Sequence, residues 1–272
     1  MMDQIFDKLK DLDIKKDSNL YIDVGTSIDA PNAAQWFLAD EKAVVIGIEP
    51  SKRNIEILTA GRDPEGYELP YLRLSDMTVQ HKGKTIKSIA GRFVLLPCAI
   101  DLVPSPTTMD FYYTEENTGC SSLLKPTDKF IEEVGLEKIE KVAVLPLCDI
   151  LDKVEFSGVI MAVKTDTQGK DHRVIQSLRH HLHNVMILFS EYNTTYLDSD
   201  GTDTGVYEGA PSREESVDWY VKFQQDVGFK VLDADWNNIL MWNERAMTTA
   251  LATEDDYHLV QHLCSTIDWF GE

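Results

Sequence analysis

Two short apolar runs near the amino terminus constrain the fold more than any other feature of this chain. Residues 20–24 are followed at once by Gly25, and residues 44–48 are followed by Glu49. Both runs are rich in β-branched residues, which is typical of strands buried within a parallel sheet. The segment 31–40 between them begins with proline and predicts a helix. This order of strand, turn, helix, strand and acid builds a ligand crevice at the carboxyl ends of a doubly wound sheet.

Later parts of the chain continue the alternation of strands and helices. Three more apolar runs predict parallel strands at 92–97, 158–164 and 184–189, and an antiparallel hairpin is expected from 228–232 and 238–242. We therefore predict an α/β fold with a doubly wound, mostly parallel sheet and a C-terminal antiparallel hairpin. The polar stretch 62–90 is interpreted as an irregular insertion.

We expect one domain over residues 1–272 with three additions to the sheet. These are an N-terminal helix (1–17), an inserted β/α layer (about 102–148) and a C-terminal helix (about 254–271).

Composition narrows the classes of function. The 272 residues include 46 Asp and Glu against 26 Lys and Arg, a formal net charge of −20. A field of that sign repels phosphates, so a nucleic-acid partner is not expected. No apolar run approaches the roughly 20 residues of a membrane span, and the first residues lack the apolar region of a signal peptide. We therefore expect no membrane insertion and a cytoplasmic location. The four cysteines have no paired spacing, so they indicate neither a zinc knuckle nor a disulfide framework.

The acid that ends the second strand predicts a nucleoside ligand. Glu49 follows Asp23 by about the interval that separates the first turn from the ribose-binding acid in dinucleotide folds. A carboxylate at this position can accept hydrogen bonds from two adjacent ribose hydroxyls. These residues predict an adenosine-containing cofactor.

Four motifs in order along the chain resemble those of the FkbM family of S-adenosylmethionine-dependent methyltransferases. Tyr-Ile-Asp-Val-Gly (21–25) is similar to the first glycine motif, and Gly-Ile-Glu-Pro-Ser (47–51) to the ribose motif. Val-Lys-Thr-Asp-Thr-Gln-Gly (163–169) is similar to the hallmark Leu-Lys-Ile-Asp-x-Glu/Gln-Gly segment. Gly-Cys-Ser-Ser-Leu (119–123) is similar to a serine-containing loop. Shorter similarities occur at 30–32 and 241–243, and the resemblance runs from about 19 to 245.

The resemblance implies a class I methyltransferase with a Rossmann-like sheet and S-adenosylmethionine as cofactor. It also implies O-methylation of a hydroxyl on a glycan, lipid or small natural-product-like acceptor. One departure is that no second glycine follows Gly25, so either the proline-bearing turn supplies the backbone geometry differently or cofactor affinity is weaker. Two alternatives stay open: a non-catalytic cofactor-binding or scaffold protein, and an NAD-dependent oxidoreductase. The expected terminal hairpin and the missing Gly-x-Gly-x-x-Gly argue against the oxidoreductase.

The resemblance also implies where the cofactor binds. Asp23 would meet the amino group of the methionine moiety, directly or through water, and Glu49 would bind the ribose hydroxyls. Cys98 and Ala99 would border the adenine. The full set of implied cofactor-binding residues is Asp23, Gly25, Thr26, Ser27, Asn32, Glu49, Pro50, Ser51, Cys98 and Ala99.

Three residues after the fourth and fifth parallel strands are the predicted catalytic groups. Asp166 is the candidate base, with Gln168 and Glu191 beside it. Asp166 and Glu191 could instead hold a divalent cation, since two carboxylates plus waters suit Mg²⁺ or Mn²⁺. Asp166 could also do no more than hydrogen-bond the turn that contains Gln168. The acceptor is expected to be a small molecule or glycan, and the oligomeric state is left open.

Other polar clusters receive ordinary interpretations. His180, His181 and His183 end the helix before the fifth strand, where histidine is common because of the helix dipole. The acidic loop 198–203 breaks the calcium-loop spacing and is interpreted as an acceptor-side loop.

Overall fold

A computed structural model describes most of the chain, and its elements are assigned in chain order. The described residues are 2–60, 69–114, 119–134, 137–156, 158–192, 195–197, 203–248, 253–267 and 269. Of the acidic loop 198–203, only Asp203 falls within these ranges.

The helices and strands alternate through most of the chain. The helices are α1 (Met2–Lys8), α2 (Pro31–Ala39), α3 (Lys52–Ala60), α4 (Asp128–Val134), α5 (Leu147–Leu151), α6 (Asp171–Ser177), α7 (Arg213–Val227) and α8 (Glu254–Thr266). The strands are β1 (Asn19–Val24), β2 (Ala43–Ile48), β3 (Tyr71–Arg73), β4 (Thr78–His81), β5 (Lys84–Ser88), β6 (Phe93–Leu96), β7 (Ala99–Ile100), β8 (Thr107–Thr114), β9 (Glu137–Leu145), β10 (Ile160–Thr165), β11 (Val185–Glu191), β12 (Thr195–Leu197), β13 (Asp203–Gly205), β14 (Phe229–Ala234) and β15 (Asn238–Asn243). Short 3₁₀ segments occupy Leu9–Asp11, Arg179–Asn184 and Ala246–Thr248.

Seven strands form the central sheet, in the order β14-β15-β11-β10-β1-β2-β6. The five strands from β11 to β6 pair in parallel. β15 runs antiparallel to β11, and β14 runs antiparallel to β15. The predicted α/β fold, with a mostly parallel sheet and an antiparallel pair near the carboxyl terminus, is confirmed.

The strand order reverses beside β1, and this creates the crevice. The chain proceeds from β1 through β2 to β6 on one side, and from β10 to β11 on the other. Asp23 is in register with Gly47 of β2 and with Lys164 of β10, so the ends of three strands meet at one edge. Loops that leave neighbouring strands in opposite directions leave an opening between them, which is where doubly wound folds bind ligands.

Helices cover both faces of the sheet. On one face, a hydrophobic cluster includes Ile5 of α1, Ile175 of α6 and Phe223 of α7. On the other, a second cluster includes Trp36 of α2 and Leu263 of α8. Within the described segments, no helix combines the length and apolar character needed to cross a membrane.

A second sheet lies over the carboxyl edge of the first. It has the order β7-β9-β8 and is followed by α5. Phe111 of β8 lines the crevice. Asp101, buried just after β7, accepts a hydrogen bond of 3.1 Å from Lys170 Nζ. This ion pair fixes the second sheet to the loop that precedes α6.

The segment 62–90 is not the irregular insertion that its polar sequence predicts. Within its described part, β3, β4 and β5 form an antiparallel sheet. Lys82 and Gly83 join β4 to β5 with φ values of 49° and 70°, the two positive angles of a type I′ hairpin turn. Val79 of β4 is fully buried in the cluster that contains α2. The hairpin is therefore favoured both by its turn and by the burial of Val79. Residues 62–68 lie outside the described ranges.

Both terminal helices are shorter than predicted. The N-terminal helix, expected over 1–17, ends at Lys8 and passes into the 3₁₀ segment. The backbone N–H of Asp13 then donates to the Gly91 carbonyl at 2.7 Å, which fixes a non-helical path toward β1. The C-terminal helix, expected to about 271, ends at Thr266 because Ile267 adopts an extended conformation.

Candidate functional site

The crevice at the end of β1 is lined by six of the ten predicted cofactor-binding residues. These six are Gly25, Ser27, Glu49, Pro50, Cys98 and Ala99. Its cavity volume is about 70 Å³, below the roughly 300–1,000 Å³ of pockets that enclose a small molecule. The crevice is therefore narrower than a pocket that encloses a small molecule. The other four predicted residues, Asp23, Thr26, Asn32 and Ser51, do not line the crevice.

Glu49 is a buried carboxylate held by the backbone at the edge of the crevice. Its two oxygens accept hydrogen bonds from the backbone N–H groups of Ser51 at 2.8 Å and Ser27 at 2.9 Å. Burial raises the pKa of Glu49 to about 7, although the hydrogen bonds from Ser51 and Ser27 oppose the shift. The Asn54 side chain also hydrogen-bonds to this carboxylate. Because a carboxylate has about four lone-pair sites, the group can still accept a hydrogen bond from a ligand.

Asp23 lies beneath the crevice rather than in its lining. Its carboxylate is 1% exposed, and its Oδ1 lies 3.5 Å from Lys164 Nζ. Burial raises the pKa of Asp23, and the attraction of Lys164 offsets part of that rise. The sequence motif did not show this pairing, because the partner is contributed by a different strand. Asp23 therefore lies below the lining of the crevice, and its contact with the amino group of the cofactor, directly or through water, stays a prediction.

Thr26 and Gly25 shape the loop that follows β1. The Thr26 hydroxyl donates to the Asp23 carbonyl at 2.9 Å and accepts from the Ile48 N–H at 2.9 Å, which ties β1 to β2. Gly25 has a φ of +80°, and a Cβ there would lie 2.0 Å from the Asp166 carbonyl oxygen. Ser27 also adopts a positive φ, 61°, without being glycine. The loop thus reaches its geometry without a second glycine.

Gln168 joins the two predicted catalytic carboxylates. Its Nε2 donates to Asp166 Oδ1 at 2.9 Å and lies 3.2 Å from both Glu191 oxygens. The amide group thus takes the place between the carboxylates that a shared cation would need. The geometry favours a hydrogen-bonded triad over a divalent-cation site.

A second cleft lies on the other side of this triad. Its lining includes Asp171, Glu191, Tyr192 and Trp219, and its volume is about 500 Å³, within the range of small-molecule sites. Asp166 and Gln168 line the first crevice, whereas Glu191 lines the second. The Gln168–Glu191 contact therefore forms part of the wall between the two openings.

Asp171 is a candidate functional residue that the sequence analysis missed. It is the first residue of α6 and is 3% exposed. Its Oδ1 accepts from the Thr167 N–H at 3.1 Å, while its buried Oδ2 has no hydrogen-bond partner among the described residues. Burial, and then the charge of Asp166, raises the pKa of Asp171 to about 7. The only signal in the sequence was an acid at a predicted helix start, which is also the usual signature of a helix cap.

Glu191 shares this electrostatic environment. Burial, and then the charges of Asp166 and Asp171, raise the pKa of Glu191 well above its usual range. Lys164 limits the accumulation of negative charge, since its Nζ lies 3.6 Å from Asp166 Oδ2. In its ionised form, a carboxylate with a raised pKa is a stronger base than an ordinary one.

Comparisons with known proteins add no family to this description. The chain matches no protein-family model, and no curated protein matches it significantly.

Proposed function

We propose that the protein is an S-adenosylmethionine-dependent O-methyltransferase of class I, similar to the FkbM family. The observation that carries the proposal is that two openings adjoin each other. The crevice, where the strand order reverses, contains the buried carboxylate of Glu49. The neighbouring cleft contains the carboxylates of Asp171 and Glu191. Methyl transfer needs a donor site and an acceptor site that adjoin each other, because the acceptor oxygen must reach the methyl group in line. The antiparallel pair β14-β15 beside five parallel strands also agrees with the class that the resemblance implies.

The crevice supplies groups for each part of an adenosyl cofactor. Glu49 would accept hydrogen bonds from the ribose hydroxyls, as the motif 47–51 implies. Ala99 and Phe111 provide apolar surface for the adenine ring, and Phe111 comes from the inserted sheet. Because the crevice is narrow, we expect this sheet to move outward when the cofactor enters. When bound, S-adenosylmethionine would supply an electrophilic methyl group at the wall formed by Gln168.

The second cleft would bind the acceptor. Its carboxylates and aromatic rings favour uncharged hydroxylated molecules and disfavour anions. Glu191 would take the proton from the acceptor hydroxyl as the oxygen–methyl bond forms and the sulfur–methyl bond breaks. Gln168 would hold the Glu191 carboxylate toward the crevice. Asp166 faces the cofactor side, so its role in the proposal is to position Gln168 and the donor rather than to act as base. The proposal includes no divalent cation, and turnover should persist in excess EDTA.

Titration calorimetry tests the cofactor. We expect S-adenosylhomocysteine and S-adenosylmethionine to bind and NAD not to bind. Glu49→Gln should weaken S-adenosylhomocysteine binding about tenfold or more. Glutamine replaces one acceptor oxygen by an NH₂ donor, so the backbone N–H of Ser27 or Ser51 would lose its acceptor and the carboxylate would be lost to the ribose hydroxyls. Glu56→Gln, which alters an exposed acid on α3, is the matched control and should bind as the wild type does.

Other outcomes would overturn parts of the proposal. Binding of NAD alone would favour the oxidoreductase alternative. Binding of S-adenosylmethionine without turnover on a broad panel of hydroxylated acceptors would favour a non-catalytic cofactor-binding protein of the same fold.

A further inference from the structure

A cluster of imidazole and carboxylate groups lies at the opposite end of the sheet from the crevice. Asp152 follows α5, and His180 and His181 lie in the 3₁₀ segment Arg179–Asn184 that leads into β11. This segment sits at the amino ends of the parallel strands, whereas the crevice sits at their carboxyl ends. The cluster is therefore separate from the groups assigned to methyl transfer.

The two imidazole rings converge on one oxygen of the Asp152 carboxylate. His181 Nε2 lies 2.8 Å from Asp152 Oδ1, and His180 Nε2 lies 3.2 Å from the same atom. One ligand atom from each residue falls within 4.8 Å of the other two. Within the described ranges this is the only such group of three. Zinc with ligand bonds of about 2.0–2.1 Å has ligand–ligand separations of about 2.9–3.4 Å in octahedral or tetrahedral geometry. The two nitrogen–oxygen separations, 3.2 Å and 2.8 Å, are close to this interval.

The backbone is bent in a way that brings the two histidines together. Consecutive side chains normally diverge, yet the rings of His180 and His181 have centroids only 4.0 Å apart. Arg179, immediately before them, has a φ of 50°. A non-glycine residue in this left-handed region is uncommon, and such strain concentrates at ligand and functional sites. In the sequence alone these histidines resemble an ordinary helix end, because neither this bend nor the position of Asp152 is visible there.

We propose that Asp152, His180 and His181 form a binding site for a divalent first-row transition-metal ion. Two imidazoles and one carboxylate suit Zn²⁺ and its neighbours, whereas Mg²⁺ and Ca²⁺ prefer oxygen ligands. The His180 and Asp152 side chains are 65% and 51% exposed, so water completes the coordination and the ion exchanges with solvent. A bound ion would link α5 to the segment before β11. Its role is structural, because no group assigned to the reaction contacts it.

The test is a titration of the full-length, tag-free protein with Zn²⁺ in a non-chelating buffer. We expect one Zn²⁺ per chain and a Zn²⁺-dependent rise in Tm. His180→Ala, His181→Ala and Asp152→Asn should each weaken binding at least about tenfold, since even loss of an outer-shell partner costs about 10–100-fold. His183→Ala removes an exposed imidazole from the same segment and is the matched control, which should bind as the wild type does.

Three results would overturn the site. If no stoichiometric Zn²⁺ binds, the contacts are only hydrogen bonds and ion pairs. If all three substitutions leave the affinity unchanged, the ion binds elsewhere. If His183→Ala weakens binding as much as the others, the segment binds the ion without this geometry. Thermal unfolding in EDTA shows whether each variant is folded, so a loss of binding is not confused with a loss of structure.

Discussion

The ammonium group of Lys164 donates a hydrogen bond of 2.6 Å to the carbonyl oxygen of Gly25. This contact joins the end of β10 to the first loop and places the cation between Asp23 and Asp166. Burial alone would lower the pKa of Lys164, but the charges of Asp166 and Asp23 raise it overall. The floor of the crevice is thus an ion-paired layer that depends on one cation.

Lys164→Met should therefore destabilise the protein strongly. The substitution leaves the Asp23 carboxylate buried without a counter-charge, and breaking a buried pair in this way costs about 3–5 kcal/mol. Urea unfolding measures the change in the free energy of unfolding. In the double variant Lys164→Met/Asp23→Asn, the neutral side chains should recover at least about 1 kcal/mol of the loss. Equal stabilities of the single and double variants would contradict the pairing.

Gly25→Ala should cost more than an ordinary substitution at a positive φ. A Cβ at Gly25 would lie 2.0 Å from the Asp166 carbonyl oxygen, so backbone must move. Gly83 has a similar φ, +70°, but no atom within 4 Å of the Cβ position. Gly83→Ala therefore isolates the backbone strain, about 1–2 kcal/mol, and Gly25→Ala should exceed it by on the order of 1–3 kcal/mol. Urea unfolding of both variants checks this, and equal costs would show that the close approach does not constrain the loop.

The sequence predicted those parts of the fold that depend on local pattern. Apolar β-branched runs such as Ala43–Ile48 became central strands because both of their faces are buried. Ser212 and Glu215 have the spacing of a capping box, and this box forms and starts α7 at Arg213. Glu49 reaches the crevice because the end of a parallel strand fixes its position.

Contacts between distant segments could not be predicted in this way. The first motif predicts that Asp23 meets the cofactor, but it does not predict that Lys164, 141 residues away in sequence, pairs with Asp23 below the surface. Asp171 resembled a helix cap, and only the fold shows that its Oδ2 is buried without a partner. The bridging position of Gln168 depends on the packing of β11 beside β10. Each of these features follows from strand order, which periodicity along the chain does not encode.

The pKa of Asp171 predicts a pH dependence of stability. Because burial raises the pKa of this acid from about 3.9 to about 7, the folded protein binds the proton more tightly than the unfolded chain. The stability contributed by this proton is present below the unfolded pKa and is lost as pH rises through about 7. Asp171→Asn cannot ionise, so its free energy of unfolding should rise relative to wild type between about pH 4 and about pH 8. The slope is at most about 1.4 kcal/mol per pH unit.

Urea unfolding at several pH values measures this difference. Asp218→Asn, which alters an exposed acid on α7, is the control and should give a much smaller slope. A difference that falls with increasing pH would show that Asp171 is stabilised in its charged form.

Glu191→Gln should abolish most turnover while leaving cofactor binding intact. Glutamine keeps an oxygen that can accept from Gln168 but cannot take a proton, and loss of a general base costs about 10²–10⁴-fold in kcat. Because Glu191 lines the second cleft rather than the crevice, the Kd for S-adenosylhomocysteine should change less than about twofold. Glu214→Gln alters an exposed acid in the first turn of α7 and should retain full activity. The rate of S-adenosylhomocysteine formation, measured with an acceptor that the wild type methylates, tests whether Glu191 is the base. Full activity of Glu191→Gln would show that Glu191 is not the base. Asp171, which also lines the cleft, would then be the next candidate for that role.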